Sequence, residues 1–390
     1  MDNGRTGKVY LDYQATTPTD PRVVAAMQPY WSSVYGNPHS ADHAFGWEAD
    51  AAVEAARSEI ARLIGADPDE IVFTSGATEA NNLAVLGTAK AAPPSRHRII
   101  VSAIEHKCVL AAARAASEEG FRVTVVPVTR EGIVDIAALT DALDDDVVLV
   151  SVMTVNNEIG TIQPIGKIGE LCQSRGIQFH SDAAQALGFL DVDVNKLNVD
   201  LMSLSAHKIY GPKGIGALYI RRDAKLRPKP IIHGGGQEYG LRSGTLPSPL
   251  CIGFGEACRI VGDERHEHNA TIGGLRDVLL KGLAEIVPDI NINGTMDTRH
   301  PGNLNVRFPG LESEVILNGL QPYVAASTGS ACTSGTPEPS HVLCAMGLSN
   351  IEAENSIRFS LGRFTTRAEI EFALSEIQLI IENLKATSIL

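Results

Sequence analysis

The sequence predicts an α/β fold: a large domain on a mixed, mostly parallel sheet, with a smaller α+β domain beside it. Three observations predict it. Short apolar, β-branched runs alternate with Ala/Leu/Glu-rich stretches of helical period across residues 71–220. Several of those runs are apolar on consecutive residues rather than on alternate ones, the pattern of strands buried on both faces. After about residue 255 the pattern changes to one long helix, short strands and two further helical stretches.

Ile71-Val72-Phe73-Thr74 reads as a strand and residues 77–90 as a helix. Arg98-Ile99-Ile100-Val101-Ser102 is the next strand, followed by a helix near 107–119. Residues 121–127, 147–152, 178–181 and 201–204 continue the strand series, and Ala217-Leu218-Tyr219-Ile220 is expected to close the sheet. Residues 256–286 read as a long helix with Glu264, Arg265, Glu267 and His268 on its wet face. Short strands follow at 290–292 and 304–308, then helices at 312–320 and 367–385. The segment up to Asp20 is short and strand-like and is expected to lie at the junction of the domains. The division expected is residues 20–255 for the large domain, and 1–19 with 256–390 for the small one. Gln321 to Pro339 is rich in Ser, Thr, Gly and Pro and reads as a loop (about 322–340), with Cys332 inside it.

Composition excludes several classes. A chain of 390 residues, 44% hydrophobic and 20% charged, buries large cores without disulfides or structural metal. A formal net charge of −13 argues against non-specific binding to nucleic acid or anionic membrane. No run approaches 18 apolar residues, and Met1 to Gly7 hold no apolar signal region. The cysteines Cys108, Cys172, Cys251, Cys258, Cys332 and Cys344 include no C-x-x-C pair, so neither a zinc knuckle nor a thioredoxin-like motif is present. Sparse, unpatterned thiols fit a reducing, cytoplasmic location. In His266-Glu267-His268 the i, i+2 spacing sends the imidazoles to different helix faces, and no metal is expected. His233-Gly234-Gly235-Gly236 has the wrong spacing for a dinucleotide fingerprint.

The chemistry lies in a few polar stretches at strand ends. Asp182 closes the strand-like run Ile177-Gln178-Phe179-His180-Ser181-Asp182, and Lys208 follows 26 residues later (208 minus 182) in the turn Ser205-Ala206-His207-Lys208. Pyridoxal phosphate needs this pair. The Lys amine forms a Schiff base with its aldehyde, and the carboxylate keeps its ring nitrogen protonated so that the ring is an electron sink. Thr74-Ser75-Gly76-Ala77-Thr78 runs from a strand into a helix, where free N–H groups and the Thr78 hydroxyl can hold a phosphate. Ser205 and His207 add phosphate donors, and Gln185 can reach the phenolic oxygen. His106 follows a strand end and can stack on the ring and move protons near neutral pH. Asn157 also follows a strand, and the fork of Arg358 suits a substrate carboxylate. Cys332 sits among Ser, Thr and Gly, where a thiol can reach a substrate and act as nucleophile. Each has a plainer reading alone: a helix cap for Asp182, a surface turn for His207 and Lys208, a surface imidazole for His106. Arg358 alone reads as a domain ion pair and Cys332 as an incidental thiol.

Together these stretches resemble the pyridoxal-dependent cysteine desulfurases of the NifS and IscS type, within fold type I and the class V aminotransferase group. The matching stretches include Tyr10 to Pro18, Gly36-Asn37-Pro38-His39-Ser40, Thr74 to Asn82, Glu105-His106-Lys107, Asn157-Glu158-Ile159-Gly160 and Ser181 to Gln185. They continue through Ser203 to Gly214, Arg242 to Pro247, Ser330 to Ser340 and Arg358 to Thr366, in order along nearly the whole chain. The resemblance implies conversion of L-cysteine to L-alanine, leaving a persulfide on Cys332 that passes to an acceptor such as an iron–sulfur scaffold protein. It implies that Lys208 carries the cofactor and moves protons at the substrate α-carbon. Asp182 and Gln185 would hold the ring with His106 stacked over it, and Thr78, Ser205 and His207 would bind the phosphate. Thr245 would reach the phosphate of the other subunit, which implies a homodimer. Arg358 and Asn157 would grip the substrate carboxylate.

The chain departs from the family pattern in three places. Tyr239 stands where the family commonly has an Arg of a partner-binding basic patch, Cys344 stands where Arg is usual, and the chain stops soon after its last helix. Altered scaffold docking or a different acceptor is the implication, with catalysis independent of both. Selenocysteine lyase shares the cofactor chemistry and is the rival activity. An aminotransferase leaves Cys332 without a task. A non-catalytic sulfur-transfer or assembly partner leaves Lys208, Asp182 and His106 without one.

Overall fold

The computed structural model describes residues 7–329 and 338–387. In chain order the elements are β1 (Val9–Tyr10), α1 (Pro21–Met27), α2 (Ala44–Ile64), β2 (Ile71–Thr74), α3 (Ala77–Ala91), β3 (Arg98–Ser102) and α4 (Lys107–Glu118). Next come β4 (Arg122–Val126), α5 (Ile136–Ala142), β5 (Val147–Ser151), α6 (Ile165–Ser174), β6 (Gln178–Asp182), β7 (Leu201–Ser205) and β8 (Gly216–Ile220). The last stretch holds α7 (Ser248–Ile286), β9 (Asn291–Ile292), β10 (Asn303–Arg307), α8 (Ser313–Leu320), β11 (Val324–Ala325), α9 (His341–Ala345), α10 (Asn350–Glu354), β12 (Ser356–Ser360) and α11 (Arg367–Thr387).

The large sheet has seven strands in the order β2-β8-β7-β6-β5-β3-β4. The pairs from β4 through β7 are parallel, and β8 is antiparallel to both of its neighbours. Every residue of β5, β6, β7 and β8 is buried, which is why β5 and β8 are almost wholly apolar, while β6 carries buried polar side chains that reach partners, such as His180 between Ser151 and Ser203. The expectation that residues 217–220 close the sheet is corrected here: β8 lies inside it, and β2 forms the edge. The reason is local. The turn from β7 to β8 is too short for a crossover helix, so β8 returns antiparallel beside β7. Its other edge then accepts β2, with Phe73 opposite Ala217 and Thr74 opposite Gly216. A Cβ at Gly216 would meet the Leu204 carbonyl oxygen at 2.5 Å and the Gly76 Cα at 2.7 Å, so only glycine permits this approach.

The long helix α7 starts eight residues earlier than the expected 256. Pro249 sits in its first turn, where a missing N–H costs nothing. Cys251, Phe254 and Ile260 of this first half are buried in the core of the large sheet. Leu279 and Leu283 of the second half enter a separate core with Leu304, Val306, Ile357 and Phe359 of β10 and β12, and with Ile370 and Ile377 of α11. One helix therefore serves both cores. The strand–helix alternation does not single out α1, α2, α5 or α6. Helix α2 lies along α7 so closely that a Cβ at Gly255 would reach the Ala56 Cα at 2.6 Å. From α2, Arg57 makes two 2.8 Å bonds to the buried Glu238 carboxylate, which also accepts from the Phe73 amide. Tyr239, next in the chain, is exposed with the Arg57 guanidinium 5.7 Å from its ring.

The smaller sheet runs β12-β10-β9, antiparallel throughout. Part of the expected loop is ordered as a strand. Val324 and Ala325 pair in parallel with Val9 and Tyr10, because the N-terminal segment offers a free edge there. The segment then bridges Asp12 to Ser360 of β12, and Thr17 donates from its amide to the His207 carbonyl. Residues 12–17 thus run between the small sheet and the turn after β7. Among the described residues no helix is long and apolar enough to cross a membrane, and no group of three or more His, Cys, Asp or Glu gathers as a metal site.

Candidate active site

At the C-terminal ends of β5, β6 and β7, where ligands of open α/β sheets bind, a cavity of about 530 Å³ opens between the large sheet, residues 12–16 and β12. Its size and its mostly apolar wall with a few converging polar groups suit a small-molecule site. Asp182 ends β6 and Ser205 ends β7, so the sheet itself points both residues to this edge. Lys208 lies one short helical turn beyond β7.

One end of the cavity suits a phosphate. The first turn of α3 brings Ala77 and Thr78 to the wall, and the first N–H groups of a helix have no partner within it. Gly76, with φ 150°, takes the chain from β2 into α3 by a conformation few other residues adopt. Ser205 is buried, and its hydroxyl has no hydrogen-bond partner among the described residues. His207 lines the same end, with Nδ1 3.0 Å from the Thr16 hydroxyl. Burial and the nearby Lys208 and Lys213 push its imidazole down to about 4, so it is neutral at pH 7. An orphaned hydroxyl beside a helix start is what a phosphate would complete.

The middle suits a ring. Asp182 Oδ1 accepts from the Ala184 amide at 2.9 Å, and Oδ2 accepts from Asn81 Nδ2 at 2.7 Å. Gln185 donates to the Gln14 carbonyl at 2.9 Å. His106 caps α4: its Nδ1 accepts from the Cys108 amide at 3.2 Å and lies 2.9 Å from Cys108 Sγ. Burial lowers the His106 pKa below the ordinary imidazole value. Lys208 Nζ donates to the carbonyls of Gln14 (2.6 Å) and Ala15 (2.8 Å), so the N-terminal segment holds the amine at the cavity wall. At the far end stand Asn157 and Arg358, the guanidinium donating to the Asn157 carbonyl at 2.8 Å.

The cavity therefore gathers Lys208, His106, Asp182, Gln185, Thr78, Ser205, His207, Asn157 and Arg358. Thr245 is exposed and is not on this wall. Cys332 lies outside the described residues, although Gly329, three positions before it, lines the cavity. Sequence reading missed Asp12, Gln14, Asn81 and Cys108, which line or brace the site. Asp12, Gln14 and Asn81 lie in stretches already quoted, but their partners are a hundred or more positions away, and no local pattern signals them.

Beneath the site His180 is buried between Ser151 Oγ (2.8 Å from Nδ1) and Ser203 Oγ (2.9 Å from Nε2), and burial pushes its imidazole down to about 4. Unfolding returns it to its ordinary 6.5, so between pH 6.5 and about 4 the unfolded chain binds the extra proton. The stability held by neutral His180 is complete above 6.5 and is lost as pH falls through that window. His180→Gln removes this dependence. The stability gap between parent and variant, from urea melts, is expected to narrow by about 2 kcal/mol from pH 7 to pH 5. A gap that does not change with pH would contradict the buried neutral imidazole.

Comparison with known proteins agrees with this geometry. The family model for aminotransferase class-V matches residues 9–372. The chain is 50% identical over 386 residues to "Cysteine desulfurase IscS" of Rickettsia akari (strain Hartford), covering 99% of this chain and 94% of the relative. It is 51% identical over 380 residues to the protein of the same name from Rickettsia typhi (strain ATCC VR-144 / Wilmington), covering 97% and 92%. Among solved structures, a "NifS-like protein" superposes with a TM-score of 0.90 at 37% identity, covering 96% of this chain and 99% of that one. "SspA in complex with cysteine" superposes with a TM-score of 0.79 at 38% identity, covering 92% and 100%. With such likeness over nearly its whole length, and with a cavity that fits a phosphorylated ring beside Lys208, the chain belongs to the aminotransferase class-V family as a pyridoxal-phosphate-dependent cysteine desulfurase.

Proposed function

We propose that this chain takes the sulfur of L-cysteine onto Cys332 as a persulfide and passes it to an acceptor protein, with iron–sulfur assembly as the destination. The observation that carries the reading is the convergence of Asp182, Lys208 and His106 in one cavity with Arg358 at its far end. When bound, pyridoxal phosphate supplies an electron sink that weakens the bonds at the substrate α- and β-carbons. Thr78, Ser205 and His207 would hold the phosphate, Asp182 the ring nitrogen and Gln185 the phenolic oxygen, and His106 would stack on the ring. Arg358 and Asn157 orient the substrate carboxylate. Lys208 Nζ holds and moves a proton at the substrate α-carbon. The Cys332 thiolate attacks the substrate sulfur: an S–S bond forms, the C–S bond breaks, and its electron pair stays with the carbon that becomes the alanine methyl.

The same reading makes the enzyme a homodimer. Trp31, Tyr35, Phe45 and Trp47 are each more than half exposed within one short segment, and Tyr35 and Phe45 rings lie 5.7 Å apart. Clustered exposed aromatics of this kind mark an interaction surface. Thr245 outside the cavity is free to serve a second subunit. The reading also keeps residues 20–255 as the large domain, with 1–19 and 256–390 as the small one. It places the protein in the cytoplasm, where the free thiols of Cys108, Cys172, Cys251, Cys258 and Cys344 persist.

Mass spectrometry of the protein after brief exposure to L-cysteine, with alanine measured in the same sample, tests the reaction. One added sulfur on the Cys332 peptide, formed with alanine, is expected. Alanine without modified Cys332 would overturn its role.

A further inference from the structure

Arg358 does not present an open fork. Nη2 donates to Asp12 Oδ1 at 2.5 Å and to Ser327 Oγ at 2.9 Å, while Nη1 donates to the Asn157 carbonyl. The Ser327 hydroxyl also donates to Asp12 Oδ1 at 3.2 Å. The pair sits at the cavity wall, the side chains 18% (Asp12) and 4% (Arg358) exposed. The carboxylate is held there by the fold. Asp12 bridges to Ser360, the Tyr13 amide donates to the Ser360 carbonyl at 3.1 Å, and Ser327 bridges to Arg358 itself. One guanidinium edge that a substrate carboxylate would use is therefore taken by a carboxylate of the protein.

We infer that Asp12 is a specificity-determining residue whose carboxylate occupies part of the Arg358 fork and so sets the affinity of the site for amino-acid carboxylates. The inference rests on the reading that Arg358 receives the substrate carboxylate. An incoming carboxylate must share the guanidinium with Asp12 or displace it, and two carboxylates at one cation repel each other. Two consequences follow from charge alone. The site holds its monocarboxylate product weakly, which favours release. A second negative charge on the amino acid is disfavoured, which excludes dicarboxylic amino acids.

The test uses the cofactor-loaded enzyme and its Asp12→Asn variant, which keeps the shape and removes the charge. Binding of L-alanine and of L-aspartate is measured by calorimetry and by the visible spectrum, and alanine binding is repeated by calorimetry on cofactor-free protein. L-Alanine is expected to bind roughly tenfold tighter to Asp12→Asn. KM for L-cysteine falls with it, and L-aspartate becomes a ligand. Asp12→Ser moves all three the same way and serves if the first variant folds poorly. Unchanged or weaker alanine binding in these variants, with Arg358→Ala losing it, would show that Asp12 merely holds Arg358 in place and would overturn the inference alone. Alanine binding that survives Arg358→Ala would overturn the Arg358 reading and the inference with it.

Discussion

Lys208→Ala is expected to cut turnover by about ten-thousandfold or more, because in the proposed mechanism one side chain both tethers the cofactor and moves the substrate proton. Its amine donates to two backbone carbonyls, those of Gln14 and Ala15, at the cavity wall. In the variant those carbonyls can take water from the cavity, so the cost to folding is small and the loss is chemical. The parent should show the visible band of a covalently held cofactor, and the variant should lack it. Borohydride reduction followed by peptide mass analysis locates the linkage. Lys213 lines the same cavity and is the rival lysine. A reduced cofactor found on the Lys213 peptide, or an unchanged visible band in Lys208→Ala, would defeat the assignment.

Cys332→Ser is expected to keep the cofactor spectrum and lower alanine and sulfide formation by at least about a hundredfold, since a serine hydroxyl is almost never ionised near neutral pH. The chain leading to Cys332 starts at the cavity: Gly329 is on its wall, and three extended residues span at most about 11 Å. Further along the chain, the Ser340 hydroxyl donates to Glu158 Oε2 at 2.5 Å, next to cavity-lining Asn157. Four other thiols are poor substitutes. Cys108 lines the cavity, but burial pushes it up to about 12, and Cys172 rises to about 12 for the same reason. Burial also raises Cys251 and Cys258. Cys108→Ala is the control and should still form a persulfide. A persulfide on Cys108 in the parent, or full activity in Cys332→Ser, would remove Cys332 from the mechanism.

Most strands of the large sheet were legible because burial on both faces leaves consecutive apolar residues, as in Val147-Val148-Leu149-Val150 and Ala217-Leu218-Tyr219-Ile220. Their order was not. Nothing within Ala217-Leu218-Tyr219-Ile220 says that it lies between β7 and β2, because that place depends on the short turn before it and on two glycines meeting across the ladder. The start of α7 was obscured by Pro249 and by Gly253 and Gly255. Gly253 admits the Met27 side chain and Gly255 the α2 backbone, so these residues serve a contact that local propensity does not register.

The site divides in the same way. That Asp182, Lys208, His106 and the Gly76 turn lie at strand ends was readable from sequence, because each stands in a short polar stretch that closes or follows a strand. Only the tertiary structure decided that Asp12 meets Arg358 and that Gln14 and Ala15 hold Lys208. It also decided that Asn81 braces Asp182. These partners are 346, 194, 193 and 101 positions apart. Local propensity and periodicity reach only a few residues along the chain. Which distant groups share a guanidinium or an amine is set by the packing of the N-terminal segment between two sheets.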